Sequence, residues 1–336
     1  MKIRVGILTA PQIAFERRAH TFILKNVRIG IGFHWDRLED QEFEGELEIR
    51  NNADGTQTAI NTLDLEDYLT SVISSEMSAD SPMELLKAHA VISRSWALRA
   101  MAHPNHEGFD VCADDHCQRY EGLRRRNERA VQAVRETIGQ VLTYDGEICD
   151  CRYYKCCGGK SEIWRTCWED KDVPYIQSVE CPYCGRASER TLRLVLNDYD
   201  QETKDFHDWQ VRYSDDELDA LVQAHVSATI GHVTALEPLH RGASGRIDSL
   251  RIVGDQGEQT IGKELVIRKA LSHSCLYSSW FDTAHADGYW TLIGHGWGHG
   301  AGLCQIGAAQ MAAEGHSYQD ILAFYYAGSQ LSTPAQ

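Results

Sequence analysis

LEDYLTSVISSEMSADSPMELLKAHAVISRSWALRA, residues 65–100, reads as two helices in succession. In the first, Leu65, Tyr68, Leu69, Val72, Ile73 and Met77 recur at helical spacing and make one apolar stripe, predicting a helix over 64–77. The second begins at Ser81-Pro82-Met83-Glu84, which offers an N-cap serine, a proline at the first helical position and a glutamate two further on, and runs to about Met101. Glu76 falls on the apolar stripe, near the first helix's C-terminus. Burial and the negative end of the helix dipole both disfavour an ionised carboxylate, so its pKa is expected to rise toward the range of a general acid. The structural alternative is a salt bridge to Lys87 or Arg94. Those two lie seven residues apart on one face of the second helix and could line an anionic or sugar-binding cleft, or be a salt-bridged face. Glu84 is explained by its capping position.

Outward from these helices the pattern alternates. Residues 1–60 read as strands, with KIRVGIL and EGELEIR on either side of the helixless N-terminal region and NNADGT as a turn. QVLTYDGE and DCRYYKCC read as strands around a turn. Residues 186–232 read as a mostly helical insertion, clearest at SDDELDALVQAHV, and 233–270 return to strands, including SGRIDSLRIVG and GEQTIGKELVI. Two short helices follow at about 304–314 and 318–326, with Gly315 as a stop and Ser317 with Asp320 as a start. The mixture predicts an α+β fold with mixed sheets and two lobes around a substrate cleft. The expected parts are 1–60, a core at 61–185, the insertion at 186–232 and a C-terminal β-rich part at 233–336.

The chain has 336 residues, 43% of them hydrophobic, and a formal net charge of −16. That acidity, with no lysine or arginine run, excludes the basic footprint of nucleic-acid binding. No apolar run reaches the length of a membrane span. MKIRVGILTA is strand-like and lacks the long apolar core of an export signal.

Eleven cysteines are an odd number and cannot all pair internally. Cys112 and Cys117, then Cys149, Cys151, Cys156, Cys157 and Cys167, then Cys181 and Cys184 cluster, whereas Cys275 and Cys304 stand apart. His106, Cys112, His116 and Cys117 supply four zinc-type ligands, enough for a closed tetrahedral site; His103 could replace one histidine, and a Cys112–Cys117 disulfide is the alternative. Cys181-Pro-Tyr-Cys184 is open between a metal knuckle completed by two cysteines of 149–167, a redox pair and a disulfide. Cys304, beside His299 and Gln305, could be read as a thiol nucleophile; a buried cysteine opening a helix is the better reading.

GHGWGHGAG, residues 294–302, places glycine at every second position. If extended, it has one bare face and one bearing His295, Trp297 and His299. So much glycine costs stability and marks close approach by a ligand or by another backbone.

These segments, in this order, resemble the SpoIID family, which includes the LytB amidase enhancers. Residues 65–100 are similar to its helix–proline–helix signature, "CCGGKSE" with Trp168 and "PYIQSVECPYC" to its central block, and 294–331 to its closing glycine-rich motif. Trp96 stands where tyrosine is common in the family, and Cys304 where serine is usual. The resemblance implies a lytic transglycosylase that cleaves peptidoglycan glycan strands between N-acetylmuramic acid and N-acetylglucosamine, on strands stripped of stem peptides, leaving 1,6-anhydromuramyl ends. The general acid and base would be Glu76. It also implies zinc as a structural ion in the His106, Cys112, His116, Cys117 region. On this reading Lys87, Arg94, His295, Trp297, His299 and Gln305 bind the sugar chain: Trp297 stacks on a ring, and His295 and His299 face Glu76 across the cleft. The location is extracytoplasmic. The competing expectations are a non-catalytic enhancer of a cell-wall amidase and a zinc-dependent hydrolase.

Overall fold

The computed structural model describes residues 1–33, 36–197, 200–202 and 205–333. It is α+β, with helices among several small sheets. The two helices read from the sequence are present as α1, Leu65–Glu76, and α2, Met83–Ala102. Asp64 caps α1, its Oδ1 accepting from the Glu66 N–H at 3.1 Å. The whole apolar stripe of α1 is buried, each large side chain contributing roughly 2 kcal/mol. Ser74 and Ser75 are buried too, their hydroxyls donating to the carbonyls of Thr70 and Ser71 one turn back. A helix buried on so many sides sits inside a core, not on a surface.

The start of α2 differs from the expected capping box. Pro82 is the N-cap, and the Ser81 hydroxyl donates to the carbonyl of Leu194 and, among the described residues, accepts no N–H of α2. Glu84 pairs with Lys87 and accepts the N–H of Tyr318, tying α2 to the last helix, Tyr318–Tyr325.

Strand Lys2–Ala10 pairs antiparallel with Gln57–Asp64, which delivers the chain into α1, and parallel with the short strand Val111–Cys112. Among the described residues, buried hydrophobic side chains separate into two clusters. One gathers the N-terminal sheets, α1, α2, the cysteine-rich segment and the final helices. The other runs from Trp209 to Leu292, with Tyr277 packed against both.

This grouping differs from the expected parts. Helix Glu189–Val195 packs into the first core, through Val195. Asp208–Ser214, inside the stretch expected to be helical, is a strand paired along its length with Tyr289–His295. Its side chains alternate between buried and exposed, a period-2 signal masked by the polar composition around it. SDDELDALVQAHV is helical over Asp215–His225, with Ser214 and Glu217 forming a capping box. Positions 198–199 and 203–204 of that stretch lie outside the described residues. Within GEQTIGKELVI only Glu258–Ile261 is a strand; Glu264–Ala270 is a helix that buries Ile267. After the second cluster the chain returns to the first core with helices Gln305–Ala313 and Tyr318–Tyr325, the latter opened by the expected Ser317–Asp320 capping box.

Candidate active site and metal centre

Glu76 is the last residue of α1. Its Oε1 accepts two hydrogen bonds, from the Tyr153 hydroxyl and from the Arg119 backbone N–H, each at 2.9 Å. Part of the side chain reaches solvent, yet the surrounding protein pushes its pKa up from the ordinary carboxylate value. Desolvation is the main cause; nearby Arg119 opposes it and Asp115 reinforces it. The carboxyl is therefore positioned, partly accessible and biased toward the protonated form. Neither Lys87 nor Arg94 is its partner. Arg94 is 1% exposed and clasps both oxygens of Glu66, at 2.9 and 2.6 Å, while donating to the Gln140 carbonyl at 3.0 Å. Lys87 sits between Glu84 and Glu136. Both are held in ion pairs of the fold and do not present the free cations that a sugar or anion cleft needs.

Sequence reasoning missed the residues around Glu76. Tyr153 comes from the two-residue strand Tyr153–Tyr154, which pairs with Leu303–Cys304. Lys155, next along, donates to the Glu76 carbonyl at 3.3 Å and pairs with buried Asp200 at 2.7 Å. Behind Tyr153 lies His89 of α2, its ring 4.4 Å from the tyrosine ring. Burial, with Lys155 nearby, lowers the His89 pKa to about 3, so it is neutral. Gln305 Nε2 lies 3.2 Å from His89 Nε2, and His89 Nδ1 lies 3.0 Å from the Ser93 hydroxyl. With the Gln305 amide as donor, the His89 proton is on Nδ1. Gln305 thus reaches the site indirectly, through His89 and Tyr153. Only the alternation of DCRYYK hinted that Tyr153 and Lys155 share a face.

The glycine-rich stretch departs most from expectation. It is not a bare strand face. Gly296, Gly298, Gly300 and Gly302 all have positive φ, between 77° and 99°. A Cβ on Gly298 would meet Tyr154, and one on Gly302 the Arg152 carbonyl. The close approach is by the protein's own backbone: Trp297 and Cys156 exchange two hydrogen bonds, at 2.8 and 3.0 Å. Trp297 is 7% exposed and packs on Phe206 and Tyr277, so its rings are used internally. His295 pairs with Asp208 at 2.6 Å. His299 accepts from the Ala301 N–H and lies against Tyr154 and Trp168. Since Tyr154 points away from the face that carries Tyr153, these contacts put His299 behind the strand. Among the described residues, neither histidine contacts Glu76.

The expected metal ligands do converge. The donor atoms of His106, Cys112, His116 and Cys117 all lie within 4.8 Å of one another. His106 Nε2 is 3.2 Å and His116 Nδ1 3.5 Å from Cys117 Sγ. The two thiols are coupled: their mutual contact pulls the Cys112 thiol down, with His116 beside it helping, and pushes the Cys117 thiol up. Two cysteines and two histidines are a ligand set that suits zinc in a closed tetrahedral site. His103 is not in the set. The loop leads directly to Glu76. Two residues after Cys117, Arg119 supplies the N–H that Glu76 accepts, and its guanidinium is anchored by Asp115 within the loop.

Cys304 is fully buried and caps the helix Gln305–Ala313, accepting the Gly307 N–H. It matches the buried helix-opening cysteine of the sequence reading. No helix is long and apolar enough to cross a membrane among the described residues.

Residues 53–144 match the family model for the stage II sporulation protein, SpoIID, and residues 162–302 match a domain of unknown function, DUF8618. An uncharacterised protein of Brachyspira hyodysenteriae is 30% identical over 275 residues, spanning 81% of this chain and 68% of that protein. Stage II sporulation protein D of Bacillus subtilis is 25% identical over 291 residues, spanning 82% and 76%. The amidase enhancer of the same bacterium is 27% identical over 297 residues, spanning 79% of this chain but 40% of that protein.

Proposed function

This chain belongs to the SpoIID/LytB family, whose role is cell-wall related, and on that premise we propose that it is a lytic transglycosylase of peptidoglycan glycan strands, acting outside the cytoplasmic membrane. The observation that supports the chemistry is Glu76: one carboxyl, fixed through one oxygen by Tyr153 and Arg119, partly accessible, with a raised pKa. Glycosidases that use water position two carboxyl groups about the bond. A single carboxyl suffices if the nucleophile belongs to the substrate. Protonated Glu76 gives its proton to the glycosidic oxygen as that bond breaks. The resulting carboxylate then takes the proton of the muramyl C6 hydroxyl as its oxygen attacks the anomeric carbon, closing the 1,6-anhydro ring. Glu76 ends protonated, ready for another cycle. Tyr153 and the Arg119 N–H hold the carboxyl in place in both states.

His106, Cys112, His116 and Cys117 would hold zinc, which supplies a structural cross-link there and no open coordination position for water. This argues against the zinc-hydrolase reading. Its effect on Glu76 would be through Asp115 and Arg119.

Incubation with peptide-free glycan strands, followed by mass spectrometry, tests the proposal. Anhydromuramyl ends formed by the wild type and not by Glu76→Gln are expected. Reducing ends instead of anhydro ends would overturn it. The second reading, a non-catalytic partner that stimulates a cell-wall amidase, is favoured by the similarity to the amidase enhancer. It predicts no new glycan ends from the chain alone and faster amide cleavage when an amidase is added.

A further inference from the structure

Away from the His/Cys loop, four more cysteines meet. The sulfurs of Cys157, Cys181, Cys184 and Cys304 lie within 4.8 Å of one another, and all four residues are buried. They come from three places in the chain. Cys157 follows the strand Tyr153–Tyr154, Cys181 and Cys184 form the CxxC knuckle, and Cys304 ends the strand that pairs with Tyr154.

The surroundings suit thiolates. Cys304 Sγ accepts two backbone N–H groups, from Cys157 and Gly307, each at 3.3 Å. The Tyr325 hydroxyl lies 3.3 Å from Cys181 Sγ. Gly307 leaves the room: a Cβ there would stand 2.9 Å from Cys181 Sγ and 3.3 Å from Cys304 Sγ. Donors aimed at sulfur stabilise a charge that an apolar thiol cluster does not carry.

Size selects the occupant. Four thiolates about one ion at a metal–sulfur distance of about 2.3 Å stand about 3.8 Å apart. A mutual spread below 4.8 Å, with Cys157 and Cys184 at 3.2 Å, fits that single-ion geometry. A cluster of several irons holds its cysteine sulfurs farther apart.

We infer that Cys157, Cys181, Cys184 and Cys304 form a second metal site, a tetrahedral tetrathiolate for one thiophilic divalent ion, with zinc expected. Four protein ligands close it, so its role is structural. It fastens the knuckle to the segment of Tyr153 and Lys155 and to the helix that begins with Gln305, so it braces the support of Glu76 from behind. The site is independent of the transglycosylase proposal.

Metal analysis of the full-length chain, purified under reducing conditions without chelator, tests the inference. Two equivalents are expected in the wild type. Cys112→Ser/Cys117→Ser should keep one, and Cys181→Ser/Cys184→Ser should lose one. In the cobalt-loaded chain the thiolate charge-transfer absorbance should fall by about two thirds in a variant lacking all four cysteines of this site, since they are four of six thiolate ligands. If such variants do not fold, native mass spectrometry of the wild type keeps the question open to refutation. Two bound ions, with these four cysteines resisting alkylation until metal is stripped, uphold the site. An equivalent of iron on the same sulfurs upholds it with a different ion. A single equivalent that depends only on Cys112 and Cys117 overturns it, as do disulfides among the four in the non-reduced chain.

Discussion

The Tyr153 hydroxyl donates to Glu76 Oε1 at 2.9 Å, joining a strand to the end of a helix 77 residues earlier. That bond favours the ionised carboxylate, so it pulls the Glu76 pKa down against the rise caused by burial. Tyr153→Phe should therefore raise the Glu76 pKa further. The alkaline limb of the pH–rate profile should move to higher pH, and the rate at the optimum should fall about 10-fold, matching the loss of roughly 1.5 kcal/mol of positioning. A rate loss with an unmoved alkaline limb would show that Tyr153 does not act through the Glu76 proton.

Glu76→Gln should abolish cleavage, by roughly 10²- to 10⁴-fold for the acid step alone, and should also stabilise the fold. A carboxyl with a raised native pKa adds stability that is complete below its ordinary value of 4.5 and lost as pH rises through the raised value. Thermal melts of both proteins should show the variant more stable at pH 8 and the difference closing toward pH 4. Equal melting temperatures across that range would contradict the burial argument.

Cys117→Ser should remove one equivalent of zinc and slow cleavage without touching substrate. The ligand loop carries Asp115 and Arg119, and Arg119 holds Glu76. The expected signature is a fall in kcat larger than any change in KM, read from initial rates with and without added zinc.

Trp297→Ala should destabilise the protein by about 3–5 kcal/mol, the usual cost of emptying a buried aromatic site, since Trp297 is 7% exposed. Gly298→Ala should also destabilise it, because a side chain is strained at φ 99° and meets Tyr154. Chemical denaturation measures both. A Trp297→Ala protein of unchanged stability but weakened glycan binding would restore the sugar-stacking role.

Arg94→Ala leaves Glu66 facing a cavity and should cost about 3–5 kcal/mol. Lys87→Ala, whose partners Glu84 and Glu136 are partly solvated, should cost about 1 kcal/mol or less. Both are read from urea midpoints. Equal, small effects would contradict the importance of the buried Arg94–Glu66 pair.

Local signals in this sequence were readable wherever one short segment carried its own physics. The stripe from Leu65 to Met77, the Ser317–Asp320 cap, the apolar setting of Glu76 and the clustering of His106, Cys112, His116 and Cys117 each lie within a dozen or so residues. The strand Asp208–Ser214 was not readable, because its own alternation of Trp209, Val211 and Tyr213 is short and set among polar residues, and the partner strand Tyr289–His295 that makes it a strand is distant in sequence. Arg94 could not be distinguished from a ligand-binding cation, since nothing near it in sequence announces Glu66 across the helix pair.

The sequence alone determined the helical pair, the α+β class, the place of Glu76 at the end of the apolar stripe and the grouping of His106, Cys112, His116 and Cys117. In each case the deciding energies, hydrophobic period, capping and ligand chemistry, act over a few turns of chain. Only the tertiary structure decided what surrounds them. It brought Tyr153 and Arg119 onto Glu76, turned Gly296, Gly298 and Gly302 toward Arg152–Cys157, Gly294 toward Trp209 and Gly300 toward Arg246, and joined Cys304 to cysteines more than a hundred residues away. Those outcomes depend on close packing between segments, where a missing Cβ or a single hydrogen bond fixes which distant residue becomes a neighbour.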